Sequence, residues 1–191
     1  MNRVADVILA GTGLVLTSPI LGLAALATKL DGGGPVLYRQ TRVGKDGEDF
    51  EALKLRSMVV GAERLGAGYA VDTGDARITR VGRILRRTSI DELPQLWNVL
   101  RGDMSVIGPR PTLRYQVEQY DEHQRRRLDV RPGLTGWAQI HGRASLPWAE
   151  RIELDVWYVD HRSQRVDLEI LLRTPLALFR GTYRGATGGW R

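Results

Sequence analysis

The stretch from Val7 to Leu30 constrains this chain more than any other, because it carries no charged side chain until Lys29. As a helix rising ~1.5 Å per residue it would reach roughly 36 Å, enough to cross a hydrocarbon core of about 30 Å. Ser18-Pro19 falls near its middle, with Gly11, Gly13 and Gly22 around it. Proline removes one helical hydrogen bond and disfavours helical geometry at the residue before it. The pattern therefore predicts a helix broken at Ser18-Pro19. Each half would be about 16 Å long, reaching mid-bilayer and able to turn back.

Three fates are open to such a segment. Arg3, the apolar run and Ala25-Leu26-Ala27 resemble a secretory signal with a small-residue cleavage site. A buried core helix is the soluble alternative, but the segment has no polar stripe for a water-facing side. A membrane helix, spanning or re-entrant, accounts for the pattern best. The basic residues that follow it favour a cytoplasmic body under the positive-inside rule. Residues 1–30 are thus read as a membrane helix and residues 31–191 as a body at the membrane interface.

Asp31-Gly32-Gly33-Gly34-Pro35 is a turn cluster and marks the boundary. Val36 to Tyr38 and Phe50 to Leu55 read as short strands around the turn Lys45-Asp46-Gly47. Gly61 to Asp75 reads as irregular with one helical turn. Helices are expected from near Asp91 through Leu100, over Leu113 to Leu128, and over Trp148 to Val159. Val166 to Phe179 is apolar but holds Pro175, which predicts two shorter helices or a kink. The class is α+β: a mainly helical, membrane-associated domain with a short β-hairpin and an N-terminal re-entrant helix.

The absence of cysteine among the 191 residues excludes disulfides, thiolate metal sites and cysteine nucleophiles. A net charge of +6 calls for an anionic partner, and nucleic acid, anionic lipid and phosphorylated substrates all qualify. The cations are mostly arginine, whose planar fork matches phosphate. They cluster at Arg80, Arg83, Arg86 and Arg87, and again at Arg125, Arg126 and Arg127, where a solvated basic face is an equal alternative.

Ser89-Ile90-Asp91-Glu92-Leu93-Pro94-Gln95 brings two carboxylates next to those arginines. Proline tolerates only the first turn of a helix, which places Asp91 at an N-cap with Glu92 just inside. A carboxylate can attack phosphorus to form an acyl phosphate, and Mg²⁺ prefers carboxylate and phosphate oxygens. Taken alone, the pair is equally a helix cap. Farther on, Pro109 and Pro111 fix the backbone on both sides of Arg110, and Arg131-Pro132-Gly133-Leu134-Thr135-Gly136-Trp137-Ala138-Gln139-Ile140-His141-Gly142-Arg143 ends in another phosphate-sized fork. Trp148 is open to stacking on a sugar or to the core.

Four segments in this order, Lys54-Leu55-Arg56-Ser57-Met58, Thr88 to Gln95, Gly102 to Pro111 and Pro132 to Arg143, resemble the bacterial sugar transferases. These are the monotopic phosphoglycosyl transferases that begin polyprenyl-linked glycan assembly, here in their minimal catalytic form. The likeness runs from the apolar segment to about Thr174. It implies a re-entrant helix broken at Ser18-Pro19, Asp91 as nucleophile, and Glu92 as a catalytic residue and Mg²⁺ ligand. It implies Arg86, Lys54, Arg56, Pro109, Arg110, Pro111 and Arg143 as substrate-binding residues. Ser57 stands where the family often has threonine, and His141 where asparagine is common. The implied partners are a UDP-sugar (an N-acetylated one), undecaprenyl phosphate, membrane lipids and, in a homodimer, a second copy, but no nucleic acid. The implied location is the bacterial inner membrane with the catalytic domain facing the cytoplasm. Three rivals remain at this point: a nucleotide-sugar hydrolase, a membrane-tethered nucleic-acid-binding protein, and a scaffold of a glycan assembly complex.

Overall fold

The N-terminal apolar segment forms one helix, α1 (Arg3–Gly32), in a computed structural model that describes residues 2–65, 74–142 and 146–179. The Asn2 side chain caps its start by accepting from the Ala5 N–H at 2.9 Å, and Gly33 ends it in the left-handed region at φ 65°. The helix is assigned through Ser18-Pro19 without the interruption that the sequence predicted. Hydroxyls explain how it tolerates the proline. Pro19 has no N–H for the Val15 carbonyl, and Ser18 Oγ donates to that carbonyl instead, at 2.8 Å.

One side of α1 lies along the body. Asp6, Ala10, Gly13, Thr17, Leu21, Ala24 and Thr28, spaced three and four apart, are buried or half-buried. Apart from Leu21 they are small or polar. The opposite side carries the large residues Val15, Leu16, Leu23, Leu26 and Leu30, all exposed. A soluble amphipathic helix has the reverse arrangement. Helix interfaces inside membranes, by contrast, are built from small residues.

Polar contacts fix both ends of α1 to the same body. Near the start, buried Asp6 accepts from Ser105 Oγ and from the Val106 N–H at 2.8 Å. Arg3 donates to the carbonyls of Val99 and Leu100 at the end of α3 (Gln95–Arg101). Near its other end, Asp31 accepts from the Val81 N–H at 2.8 Å, at the start of α2 (Arg80–Thr88). Between these points Ala10 joins Leu96, Val99 and Met104 in the main core, and Ala24 packs on Leu55 and Leu85.

The body holds two small sheets. β1 (Leu37–Val43) and β2 (Asp49–Leu55) form the expected antiparallel hairpin, closed by a 3₁₀ turn at Lys45–Gly47 in which Asp46 and Gly47 have positive φ. β3 (Ser105–Ile107) and β4 (Gly133–Thr135) pair in parallel, which sequence reading missed because each has only three residues. This pairing joins the Gly-Pro-Arg-Pro and Pro-Gly-Leu-Thr-Gly motifs into one structural unit. A Cβ on Gly108 would lie 2.3 Å from the Arg131 carbonyl oxygen, and one on Gly133 would lie 2.0 Å from the Gly108 nitrogen. The backbones cross there only because both residues lack a side chain.

The helix expected over Leu113 to Leu128 is divided into α4 (Arg114–Val117), α5 (Glu122–Arg125) and a 3₁₀ turn at Arg126–Leu128. Asp121 is the cause: its side chain accepts from the Gln124 N–H at 2.8 Å and starts a new helix. After α6 (Trp137–Ile140) come α7 (Trp148–Asp160), as expected, and α8 (Gln164–Phe179), which runs as one helix through Pro175. The segment 66–73 falls outside the described residues, and of the irregular region only the turn at Ala62–Arg64 is observed.

Asp6 is the buried polar tie between α1 and β3. Asp6→Ala should leave the Ser105 hydroxyl and Val106 N–H without their acceptor, at a cost of about 1–3 kcal/mol. Thermal unfolding of the full chain in detergent checks this, and an unchanged midpoint would show that Asp6 does not hold the helix.

Candidate active site

Three segments remote in sequence meet at the Glu92 carboxylate. From β2, Lys54 Nζ lies 2.8 Å from Oε1. From the loop after β3, Arg110 Nη2 lies 2.5 Å from Oε1 and Nη1 3.3 Å from Oε2. Asn98 in α3 aligns the parts. It accepts from the Leu53 N–H at 3.0 Å and donates to the Glu51 carbonyl at 2.7 Å, which fixes β2, and so Lys54, against α3.

Asp91 and Glu92 sit in a 3₁₀ turn at Ile90–Glu92 between α2 and α3. This differs from the expected N-cap. α3 begins at Gln95 with Pro94 at its cap, while Ser89, left-handed at φ 57°, ends α2 and turns the chain into the 3₁₀ segment. The close seat of α2 depends on Gly82, where a Cβ would lie 1.9 Å from the Ser57 carbonyl oxygen. That seat brings Arg86 within electrostatic reach of Asp91.

The two neighbouring carboxylates are driven apart. Burial and the adjacent Glu92 charge push Asp91 up to about 6, against the pull of Lys54, Arg86 and Arg110. Burial also opposes ionisation of Glu92, but Arg110 and Lys54 together outweigh it and hold Glu92 well below the usual carboxylate range. The surroundings are cationic. Burial lowers Lys54 and brings Arg42 down to about 10. Such a site has one carboxylate near the threshold of ionisation, one firmly ionised, and an excess of positive charge able to receive phosphate oxygens.

Among the sequence-selected residues, the fold brings Asp91, Glu92, Lys54, Arg86 and Arg110 together, with Pro109 and Pro111 flanking the last. Arg56 is placed differently. Its Nε donates to the Pro35 carbonyl at 2.8 Å and its guanidinium covers Tyr38, at the foot of the hairpin. Arg143 lies outside the described residues. Sequence reading missed Arg42, whose Nη1 donates to the Pro111 carbonyl at 3.3 Å, because nothing in its spacing separates it from a surface strand arginine. It also left Arg127 undecided, and that residue is buried.

Among the described residues no three carboxylate or histidine side chains cluster as a protein-only metal site. Mg²⁺ commonly uses one or two carboxylates and completes its shell with water and substrate phosphate. Glu92 fits that donor set, since its Oε2 carries only a 3.3 Å contact to Arg110 while Lys54 and Arg110 Nη2 crowd Oε1.

The bacterial sugar transferase family model matches residues 1–181. Among curated proteins, the chain is 48% identical to the UDP-glucose:undecaprenyl-phosphate glucose-1-phosphate transferase of Caulobacter vibrioides, over 91% of this chain and 67% of that protein. It is 44% identical to the uncharacterized sugar transferase EpsL of Bacillus subtilis, over 91% of this chain and 85% of that one. It is 42% identical to the UDP-N-acetylgalactosamine-undecaprenyl-phosphate N-acetylgalactosaminephosphotransferase of Aeromonas hydrophila, over 95% of this chain but only 44% of that longer protein.

Because Asp91 has a folded-state pKa of about 6 against 3.8 for an ordinary aspartate, the folded chain takes up its proton first. Stability from this group is therefore full below about 3.8 and lost as pH rises through about 6. Asp91→Asn should melt higher than wild type at pH 8, by roughly 3–10 °C, with the gain shrinking as pH falls toward 4.5. Equal melting temperatures at pH 8 would mean that Asp91 ionises without cost.

Proposed function

The chain belongs to the bacterial sugar transferase family, and from that membership and this site we propose that it moves a sugar-1-phosphate from a UDP-sugar to undecaprenyl phosphate. The products are undecaprenyl diphosphate-sugar and UMP, and the step begins a membrane-bound glycan. The observation that carries the reading is the buried Asp91 carboxyl next to Glu92, whose carboxylate is bonded by both Lys54 and Arg110.

The reaction has two displacements. An Asp91 carboxylate oxygen attacks the β-phosphorus of the UDP-sugar, and the bond to the bridging oxygen breaks. UMP leaves with that oxygen and both bonding electrons, and the sugar phosphate stays on Asp91 as an acyl phosphate. An oxygen of undecaprenyl phosphate then attacks the same phosphorus and releases the Asp91 carboxylate. Arg86, Arg110 and Lys54 hold phosphate oxygens during both displacements and offset the charge that gathers on them. Glu92 is the residue that would hold Mg²⁺, whose chemistry there would be to neutralise the diphosphate.

The membrane role rests on α1. A helix whose two ends are tied to one body, with its large apolar residues turned outward, suits burial of that outer side in the cytoplasmic leaflet. In that geometry the basic site would sit at headgroup height, where the lipid phosphate lies. The sugar is expected to be N-acetylated.

UMP release from a panel of UDP-hexoses and UDP-N-acetylhexosamines, with Mg²⁺, tests the activity. Release that requires undecaprenyl phosphate and falls by at least ~10³-fold in Asp91→Asn is expected. Full activity of that variant would remove Asp91 as nucleophile, and lipid-independent turnover would make the chain a hydrolase. The membrane reading has its own check. Replacing exposed Leu16 and Leu23 together by lysine should move the protein from the membrane pellet to the supernatant while it stays folded, and continued pelleting would contradict the embedded helix.

A further inference from the structure

Arg110 is the most exposed cation at Glu92, with its side chain 49% accessible, yet its main chain is held from below. The flanking prolines have no N–H, so the loop cannot order itself by local turn hydrogen bonds from those positions. Its carbonyls are instead taken one by one. The Pro109 carbonyl accepts from the Gly133 N–H at 2.8 Å and the Thr112 carbonyl from the Val43 N–H at 2.9 Å. The Pro111 carbonyl accepts from Arg42. The Arg110 carbonyl accepts from Arg127 Nη2 at 2.9 Å.

Arg127 itself is buried, its side chain only 3% accessible. Its guanidinium bonds Asp155 Oδ2, donates to Tyr120 Oη at 2.6 Å, and lies against the rings of Tyr120 and Trp148. Asp155 is equally buried, and its Oδ1 has no hydrogen-bond partner among the described residues. Burial pushes its carboxyl up to about 6 despite Arg127, so this pair carries an uncompensated desolvation cost. Buried ion pairs are a poor source of stability. What this one supplies is direction, since Asp155 and Tyr120 hold the guanidinium so that it points at the Arg110 carbonyl.

We propose that the buried Arg127–Asp155 pair is a positioning element for Arg110, clamping the backbone of 109–111 so that the Arg110 guanidinium meets Glu92 and a phosphate of the substrate. The phosphate half of this role rests on the transferase reading, and the loop contact does not. Neither Arg127 nor Asp155 would touch substrate. Both act through Arg110.

Two variants of the full chain in detergent test the clamp. Asp155→Asn removes the charge that aligns the guanidinium. Arg127→Lys keeps a cation for Asp155 but loses the fork that reaches Tyr120 and Arg110 together. In each folded variant, hydrogen exchange at the Gly133 and Val43 amides, which donate to the Pro109 and Thr112 carbonyls, should quicken by at least ~5-fold while the rest of the β1–β2 hairpin keeps its protection. UMP release should fall by ~10- to 100-fold in the wild-type background, the scale of a small misplacement of a binding group, but by less than ~3-fold where Arg110 is already alanine. Unchanged exchange at Gly133 and Val43, or an equal loss with and without Arg110, overturns the proposal. If wild type releases no UMP from any donor, the transferase reading fails while the exchange measurement still decides the clamp.

Discussion

The competition for Glu92 between Lys54 and Arg110 is the interaction on which the site depends. It draws a strand, a 3₁₀ turn and a proline-locked loop to a single carboxylate. It also fixes the ionisation of both neighbouring acids. With two cations on Glu92, its negative charge is secure, and that charge is one reason the adjacent Asp91 resists losing its proton. Two carboxylates with opposite tendencies are how a protein assigns separate tasks to chemically similar groups. Here the identical side-chain chemistry yields one group suited to attack and one suited to holding positive charge.

The rest of the fold serves the rigidity of that meeting. Asn98 fixes β2 to α3, Gly82 lets α2 press against Ser57, and the crossing at Gly108 and Gly133 seats the Arg110 loop on β4. α1 lies under the same elements, tied to β3 by Asp6 and to α2 by Asp31. The apolar outer side of α1 and the candidate site therefore belong to one body. A change in how α1 meets lipid would tilt the site with it, which distinguishes this arrangement from an enzyme domain hung on a flexible tether.

Much of this was legible in the sequence. The hairpin followed from its turn residues, α7 from its composition, and Lys54, Asp91, Glu92 and Arg110 were singled out through the family resemblance before the fold brought them together. What sequence could not supply falls into two kinds. Some is local chemistry outweighed by neighbours: Ser18 supplies the donor that Pro19 lacks, so the helix continues, and Asp121 starts a new helix inside a run that composition alone would join. The rest is burial. Arg127 in a triple-arginine run and Asp155 on a helix look like surface charges, and only the tertiary fold shows that both are enclosed. Arg56 is a different case, since its contacts with the Pro35 carbonyl and the Tyr38 ring are not legible from its motif position.

Asp91 and Asp155 share a property that bears on how the site was built. Both carboxyls are buried and held at about 6, so each costs the folded chain stability at neutral pH. Two such costs within one small domain are hard to explain as packing, because apolar residues of similar volume would fill either position without them. They are explained if each charge has a job that neutral packing cannot do. For Asp91 the proposed job is nucleophilic attack, which needs an ionised oxygen; for Asp155 the proposed job is aiming a guanidinium, which needs a fixed counter-charge. On this account the stability spent at both positions is recovered as geometry at Arg110 and reactivity at Asp91, and the two positions should respond differently to neutral isosteres: loss of chemistry at Asp91, loss of alignment at Asp155.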